Sequence, residues 1–188
     1  MRPGNHQRHA SGGQAYQAYI GQFRGGIMFN LGCHLVDLAV AMLGRPEQVT
    51  PFLKSAPGFP GGTGNNCLAV LEYPRALVSL RACSLEVNGI ENRRLKICGT
   101  GGTAELCPLE RFDGKPLQMC LTLKESSGEY CAGSQIIDFG ARHDRYMDQL
   151  LELAKIINGE MENPCAYEHD CLVQEVLLAA AGYTQWKK

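Results

Sequence analysis

A chain of 188 residues, 45% hydrophobic and 20% charged, is long enough to bury roughly 70% of its unfolded surface, and this composition argues against disordered and fibrous classes. Eighteen Lys and Arg against nineteen Asp and Glu leave a formal charge of -1, with no basic stripe for nucleic acid. No apolar stretch approaches the roughly 20 residues that span a bilayer, and the polar opening MRPGNHQRHASGGQ lacks the apolar centre of a signal peptide, so a cytoplasmic protein without nucleic-acid or membrane partners is expected.

Residues 1–24 show no clean periodicity and read as an irregular arm. From Asn30 the pattern changes. Leu31, Leu35, Leu38 and Met42 recur at helical steps, and Gly44 with Pro46 supplies a stop, which predicts a helix over about 31–43. Between Glu47 and Leu123, runs such as QVTPFLKS, CLAVLEY, ALVSLRACSLEV and LQMCLTL alternate with short Gly and Pro turns. Connections this short favour antiparallel pairing, with room for one parallel pair. ESSGEYCAGSQIIDFGA is irregular or a poorly marked further strand. A helix follows with Tyr146, Leu150, Leu153 and Ile157 on one stripe, then a last helix over about 167–185 burying Leu172, Val176 and Ala179 or Ala180. The pieces predict one α+β domain over 25–188, a largely antiparallel (mixed) open β-sheet with helices packed on one face.

The chemistry-bearing residues each have a plain structural reading. Nine cysteines include no Cys-x-x-Cys pair and are expected to be reduced and mostly buried. Cys165, His169 and Cys171 lack a fourth zinc ligand, so no metal site is expected. The glycines of GFPGGTGNN and CGTGGTAEL do not follow a strand and open a helix, so they read as turns rather than nucleotide loops. Charges in RHDRY, residues 142–146, read as a solvated or capping face. Asn30, directly before the apolar stripe, suits a helix N-cap. His34 lies off that stripe in the first helical turn, where a neutral imidazole can accept a proton. Asp37, three residues on, could orient the ring or meet solvent.

The order of these residues carries more than their types. A Gly-Gly pair, then Asn30-x-Gly32-Cys33-His34-x-x-Asp37, an apolar helix and a Gly44-x-Pro46 end resemble the helix that opens the second domain of the Gfo/Idh/MocA oxidoreductases. ALVSLRACSLEV resembles that family's long central strand, LKICGTGGTAEL its glycine hairpin, and the two closing helices with a proline between them complete the match over about residues 25–185. The resemblance implies an N-terminal Rossmann domain binding NAD or NADP, absent from this chain, and a C-terminal domain for substrate binding and oligomerisation. It also implies catalysis by a Glu-Lys-Pro lysine from the first domain with Asp-x-x-x-His from the second.

Mapped here, that motif makes His34 the catalytic residue and Asn30, in place of the usual aspartate, a substrate-binding residue, with Arg24 at the cleft edge as a second substrate contact. The expected function is the substrate-binding and oligomerisation domain of an NAD(P)-dependent oxidoreductase acting on a sugar, polyol or related hydroxylated compound. The chain alone is expected to bind no cofactor and to be inactive, and to form a homo-oligomer through its open sheet face. The alternative is a non-catalytic binding or assembly module that retains the fold.

Overall fold

The computed structural model describes residues 15–16, 18–56, 64–111, 113–141, 144, 146–164 and 166–187. Most of GFPGGTGNN, Arg142, His143 and Arg145 of RHDRY, and Cys165 therefore lie outside the described residues. In chain order the elements are α1 (Gly26–Asn30), α2 (Gly32–Leu43), β1 (Gln48–Lys54), β2 (Asn66–Tyr73), β3 (Ala76–Cys83), α3 (Gly89–Asn92), β4 (Leu95–Cys98), β5 (Gly102–Leu106), β6 (Pro116–Leu123), β7 (Gly133–Ala141), α4 (Met147–Ile157) and α5 (Tyr167–Ala180). They fall into two units: residues up to Glu86 with those from Pro164 on, and Val87–Asn163.

In the first unit, period-two alternation sorts each strand into a wet and a dry row. Val49 faces Leu71, which faces Val78; Leu53 faces Cys67, which faces Ala82. This dry row joins Val36, Ala39 and Val40 of α2 and Val176, Ala179 and Ala180 of α5 in one core. The opposite row leaves Phe52 49% and Leu77 75% exposed, an apolar sheet face that the described helices do not cover. At about 25 cal/mol per Å² of apolar surface removed from water, the dry face is what holds helix to sheet.

Helix α2 turns a different face inward than the leucine spacing predicts. Gly32, Val36, Ala39 and Val40 are buried, whereas Leu31 is 37% and Met42 47% exposed. The helix is apolar nearly all round, so leucine periodicity alone does not select its buried side. The smaller face packs against α5 and β3. The arm also differs from expectation: residues 18–20 are helical, Ile20 is fully buried, and a ring ladder runs Tyr19, Phe23, Phe29, Tyr183 at centroid spacings of 5.2, 5.9 and 5.0 Å. The last helix ends at Ala180, earlier than expected, and buries Val176, Ala179 and Ala180 as expected.

The second unit is a four-stranded sheet in the order β4-β5-β6-β7. Every described strand pair in both sheets is antiparallel, so the fold is α+β with open antiparallel sheets, two rather than one, and without, among the described residues, the parallel pair that the sequence left room for. The β4–β5 hairpin stands where LKICGTGGTAEL predicts it, and the poorly marked segment forms β7. The long strand ALVSLRACSLEV stops at Cys83 and occupies a sheet edge rather than the centre. Most described cysteines are not buried: Cys67 is, Cys33 and Cys83 are partly, and five are exposed. Register explains two of them, because Cys98 lies opposite Thr103 and Cys120 opposite Glu105, on the polar rows of the sheet. The stripe of α4 forms as expected but stays exposed, Leu150 at 60% and Ile157 at 74%.

Candidate functional site

Gly25 fixes where the site begins. Its φ of +84° is left-handed backbone, and a Cβ there would lie 2.5 Å from the carbonyl oxygen of Ala181. Gly64 closes the other side, its carbonyl accepting the Ile27 N–H at 2.7 Å. Beneath them Cys67 donates its thiol to the Gly25 carbonyl at 3.9 Å, and burial pushes that thiol up from its ordinary value, which makes it packing rather than a nucleophile. Helix α1 is thereby seated on the core with Asn30 at its far end.

Asn30 is not the N-cap of α2. It is the last residue of α1, and Leu31, at φ -111° and ψ -20°, makes the junction with no side-chain cap. An N-cap needs extended backbone before the helix, whereas here the chain runs from one helix into the next with near-helical angles. The Asn30 side chain is instead held from the arm: the Tyr16 hydroxyl donates to its Oδ1 at 3.2 Å, while the Cys33 thiol donates to its main-chain carbonyl at 3.4 Å. Among the described residues no acceptor meets the Asn30 Nδ2.

His34 lies in the first turn of α2, exposed, and no described side chain bonds its imidazole. Asp37 does not orient it. The Asp37 carboxylate pairs with His169 Nε2 of α5 at 2.7 Å, joining two helices of the core. Cys165 of the Cys165, His169 and Cys171 cluster lies outside the described residues, and among those described no group of three His, Cys, Asp or Glu is placed to hold a metal. Arg24 lies in the exposed turn before Gly25, without an ion pair among the described residues. The chain thus gathers Asn30 and His34 at the α1–α2 junction, with Arg24 at the opposite end of the five-residue α1. An exposed imidazole there can take or give a proton, and the asparagine amide can donate a hydrogen bond.

Sequence reasoning missed Tyr16 because residues 1–24 look irregular. Tyr16, Tyr19 and Phe23 are nonetheless spaced at helical steps of three and four, a signal that was available. Of the two glycine runs, residues 58–63 of the first lie outside the described residues, its Gly64 leading into β2 and packing on Gly25, and in the second the Gly99 N–H bonds the Gly102 carbonyl at 2.8 Å across the β4–β5 hairpin. A pyrophosphate site needs a glycine turn that leaves a strand and opens a helix.

The family model of the GFO/IDH/MocA C-terminal domain matches residues 4–105, more than half of the chain. The chain belongs to this family. The match contains Arg24, Asn30 and His34, so the junction between α1 and α2 lies within the family domain. No curated protein matches the sequence significantly. Among solved structures, a Yersinia pestis protein assigned to the oxidoreductases is similar at 20% identity and TM-score 0.60, covering 82% of this chain and 46% of that one. An oxidoreductase from Agrobacterium radiobacter, solved with NAD+, L-tartaric acid and magnesium, is similar at 17% identity and TM-score 0.59, covering 84% and 47%. One from Bacillus cereus is similar at 15% and 0.58, covering 80% and 47%. At these identities the likeness shows a shared fold alone, and the chain spans about half the length of the structures it matches.

Proposed function

We propose that this chain is the substrate-binding and oligomerisation domain of an NAD(P)-dependent cytoplasmic oxidoreductase acting on a sugar, polyol or related hydroxylated compound. The observation that carries the reading is the exposed imidazole of His34 at the head of α2, bonded by no side chain among the described residues, beside Asn30, inside a segment that matches the family. The reacting hydroxyl binds at His34, which exchanges its proton, while Asn30 orients the substrate and Arg24 reaches a hydroxyl or acid group at the edge. The nucleotide belongs to a Rossmann domain in the same protein, and no residue of this chain is asked to hold it. NAD+ in the Agrobacterium neighbour supports the nicotinamide assignment. The uncovered row of the first sheet, with Phe52 and Leu77, supports the oligomerisation role, since a specific interface buries on the order of 1,000 Å² or more.

The test is His34→Ala in the intact protein with its cofactor and a hydroxylated substrate. Turnover should fall by roughly a hundredfold or more, the scale of a positioned acid-base group, with an unchanged melting temperature because the ring is exposed. Full turnover would leave the helix a scaffold. A second reading, a non-catalytic binding or assembly module, is favoured by one observation: Asn30 stands where the family motif has aspartate, and it is held by Tyr16. Under that reading Asn30→Asp leaves activity absent, whereas under the first it raises turnover.

A further inference from the structure

We infer that the Asn88–Gly89 turn is a site of spontaneous covalent modification, where the Gly89 nitrogen attacks the Asn88 side-chain amide and an aspartyl or isoaspartyl residue results. Water is the sole co-reactant. A bond forms between the Gly89 nitrogen and the Asn88 Cγ, Nδ2 departs as ammonia with the proton that the Gly89 nitrogen loses, and water opens the cyclic imide at either carbonyl. Glycine suits the attack because it has no Cβ to crowd its nitrogen. The sequence offers this reaction at Asn88–Gly89, Asn158–Gly159 and Asp113–Gly114, and the structure leaves the first of them open.

Asn88 is exposed and stands at φ 56° and ψ 35°, left-handed backbone that a non-glycine residue adopts at a cost. An asparagine before a helical turn commonly spends its side chain on the backbone N–H groups that follow. Here it makes no such bond, and the Gly89 N–H meets no acceptor among the described residues. The turn is held by exposed bonds, from the Glu91 N–H to the Asn88 carbonyl at 3.0 Å and from the Asn92 Nδ2 to the Val87 carbonyl at 3.3 Å. With four residues and none buried, α3 opens at little cost, which frees the rotation that ring closure needs.

At Asn158 both reacting groups are occupied. The Gly159 N–H donates to the Ile156 carbonyl at 3.1 Å, and the Asn158 Nδ2 donates to Glu160 Oε1 at 3.2 Å. At Asp113 the Arg111 guanidinium grips the carboxylate, Nε donating to Oδ1 at 3.0 Å and Nη2 to Oδ2 at 2.6 Å. That grip holds the carboxyl well below its ordinary range, and an ionised carboxylate does not release an oxygen to an attacking nitrogen. The isoaspartyl product at Asn88 would route the main chain through an added methylene directly after Val87, the first residue of the second unit.

The test is to age the full chain at mildly alkaline pH, with and without urea, and to digest it with trypsin, which leaves the three sites on different peptides. Mass spectrometry reads the change from amide to acid, and chromatography separates aspartyl from isoaspartyl forms. In the folded chain Asn88 should convert roughly tenfold or more faster than Asn158, the factor expected when hydrogen bonds must break before reaction, with Asp113 unchanged. In urea the two asparagines should convert at comparable rates, because the protection of Asn158 goes with the fold. Gly89→Ala enters helical backbone without strain and should slow the native site severalfold.

Asn158 converting as fast as Asn88 in the folded chain overturns the inference. The same preference in urea also overturns it, since sequence alone would then set the rate. Conversion of Asn88 in urea but not in the folded chain makes the turn protective and the inference wrong. An unchanged rate in Gly89→Ala removes that nitrogen as the attacking group.

Discussion

Replacing Gly25 by alanine tests whether the seat of α1 is as tight as the geometry requires. Two costs arise. The left-handed backbone at φ +84° is disfavoured for an L-residue by roughly 1–2 kcal/mol. The new Cβ would also meet the Ala181 carbonyl oxygen at 2.5 Å and the Ala181 Cβ at 2.7 Å, and overpacking of this kind costs about 1–3 kcal/mol because backbone must move. A loss of about 3 kcal/mol follows, which at a urea slope of about 2 kcal/mol/M moves the unfolding midpoint down by about 1.5 M. Gly182→Ala is the control. Its φ of +72° carries a similar backbone cost, but its Cβ would meet only the end of the flexible Leu53 side chain at 3.0 Å, so a loss of about 1 kcal/mol is expected. Trp186, the single tryptophan, lies in the same unit, so its fluorescence reports that unit's unfolding. If Gly25→Ala proves no more destabilising than Gly182→Ala, the contact with Ala181 does not constrain the helix and the reasoning is wrong.

Asn30→Ala should lower stability by no more than about 1 kcal/mol, because it removes one bond from the exposed Tyr16 hydroxyl and no helix cap; a loss near 2 kcal/mol in thermal denaturation would restore the capping reading. The hydrogen bond from Arg45 holds the Glu175 carboxyl below its usual range, so its stabilisation is present above the unfolded value near 4.5 and fades as pH falls through the lower folded value. Glu175→Gln should therefore melt slightly lower than the native chain at pH 7 and converge with it well below pH 4; parallel curves across that range would refute the assignment. Leu77→Lys, on the uncovered face of the first sheet, should dissociate the proposed homo-oligomer in light scattering with the fold retained, and an unchanged mass would refute that interface.

What the sequence disclosed, and what it hid, follows from which forces act locally. The β2 and β3 strands read correctly from alternation because one side of each is dry, and the β4–β5 hairpin from its glycines. The α2 helix was legible by length and stop signal, yet its buried face was not, since apolar residues ring it and the choice between faces is made by the shapes of α5 and β3. His34 was found on motif spacing and sits exposed in the expected turn. The N-cap reading of Asn30 failed because nothing local reveals that Gly26–Asn30 is itself helical. Two tertiary contacts decide that: the Gly64 carbonyl at the Ile27 N–H and the close approach of Gly25 to Ala181, from residues distant in the chain. Tyr16 was hidden for the same reason, its bond to Asn30 reaching a residue 14 positions away.

The first unit is interrupted in the chain by the second, and this has a consequence for how the protein is made. Val87–Asn163 is one continuous stretch whose strand pairings are between neighbours, so it can close as it leaves the ribosome. The unit bearing His34 cannot: Val36, Val49 and Ala69 wait for Val176, Ala179 and Ala180 near the end of the chain, and the Arg45 clasp on Glu175 and Trp186 forms last of all. A nascent chain stalled after Asn163 should therefore expose an open apolar sheet to chaperones and be cut by protease within its first 86 residues, while the inserted unit resists. Synthesis thus withholds the unit bearing His34 until the helix Tyr167–Ala180 is in place.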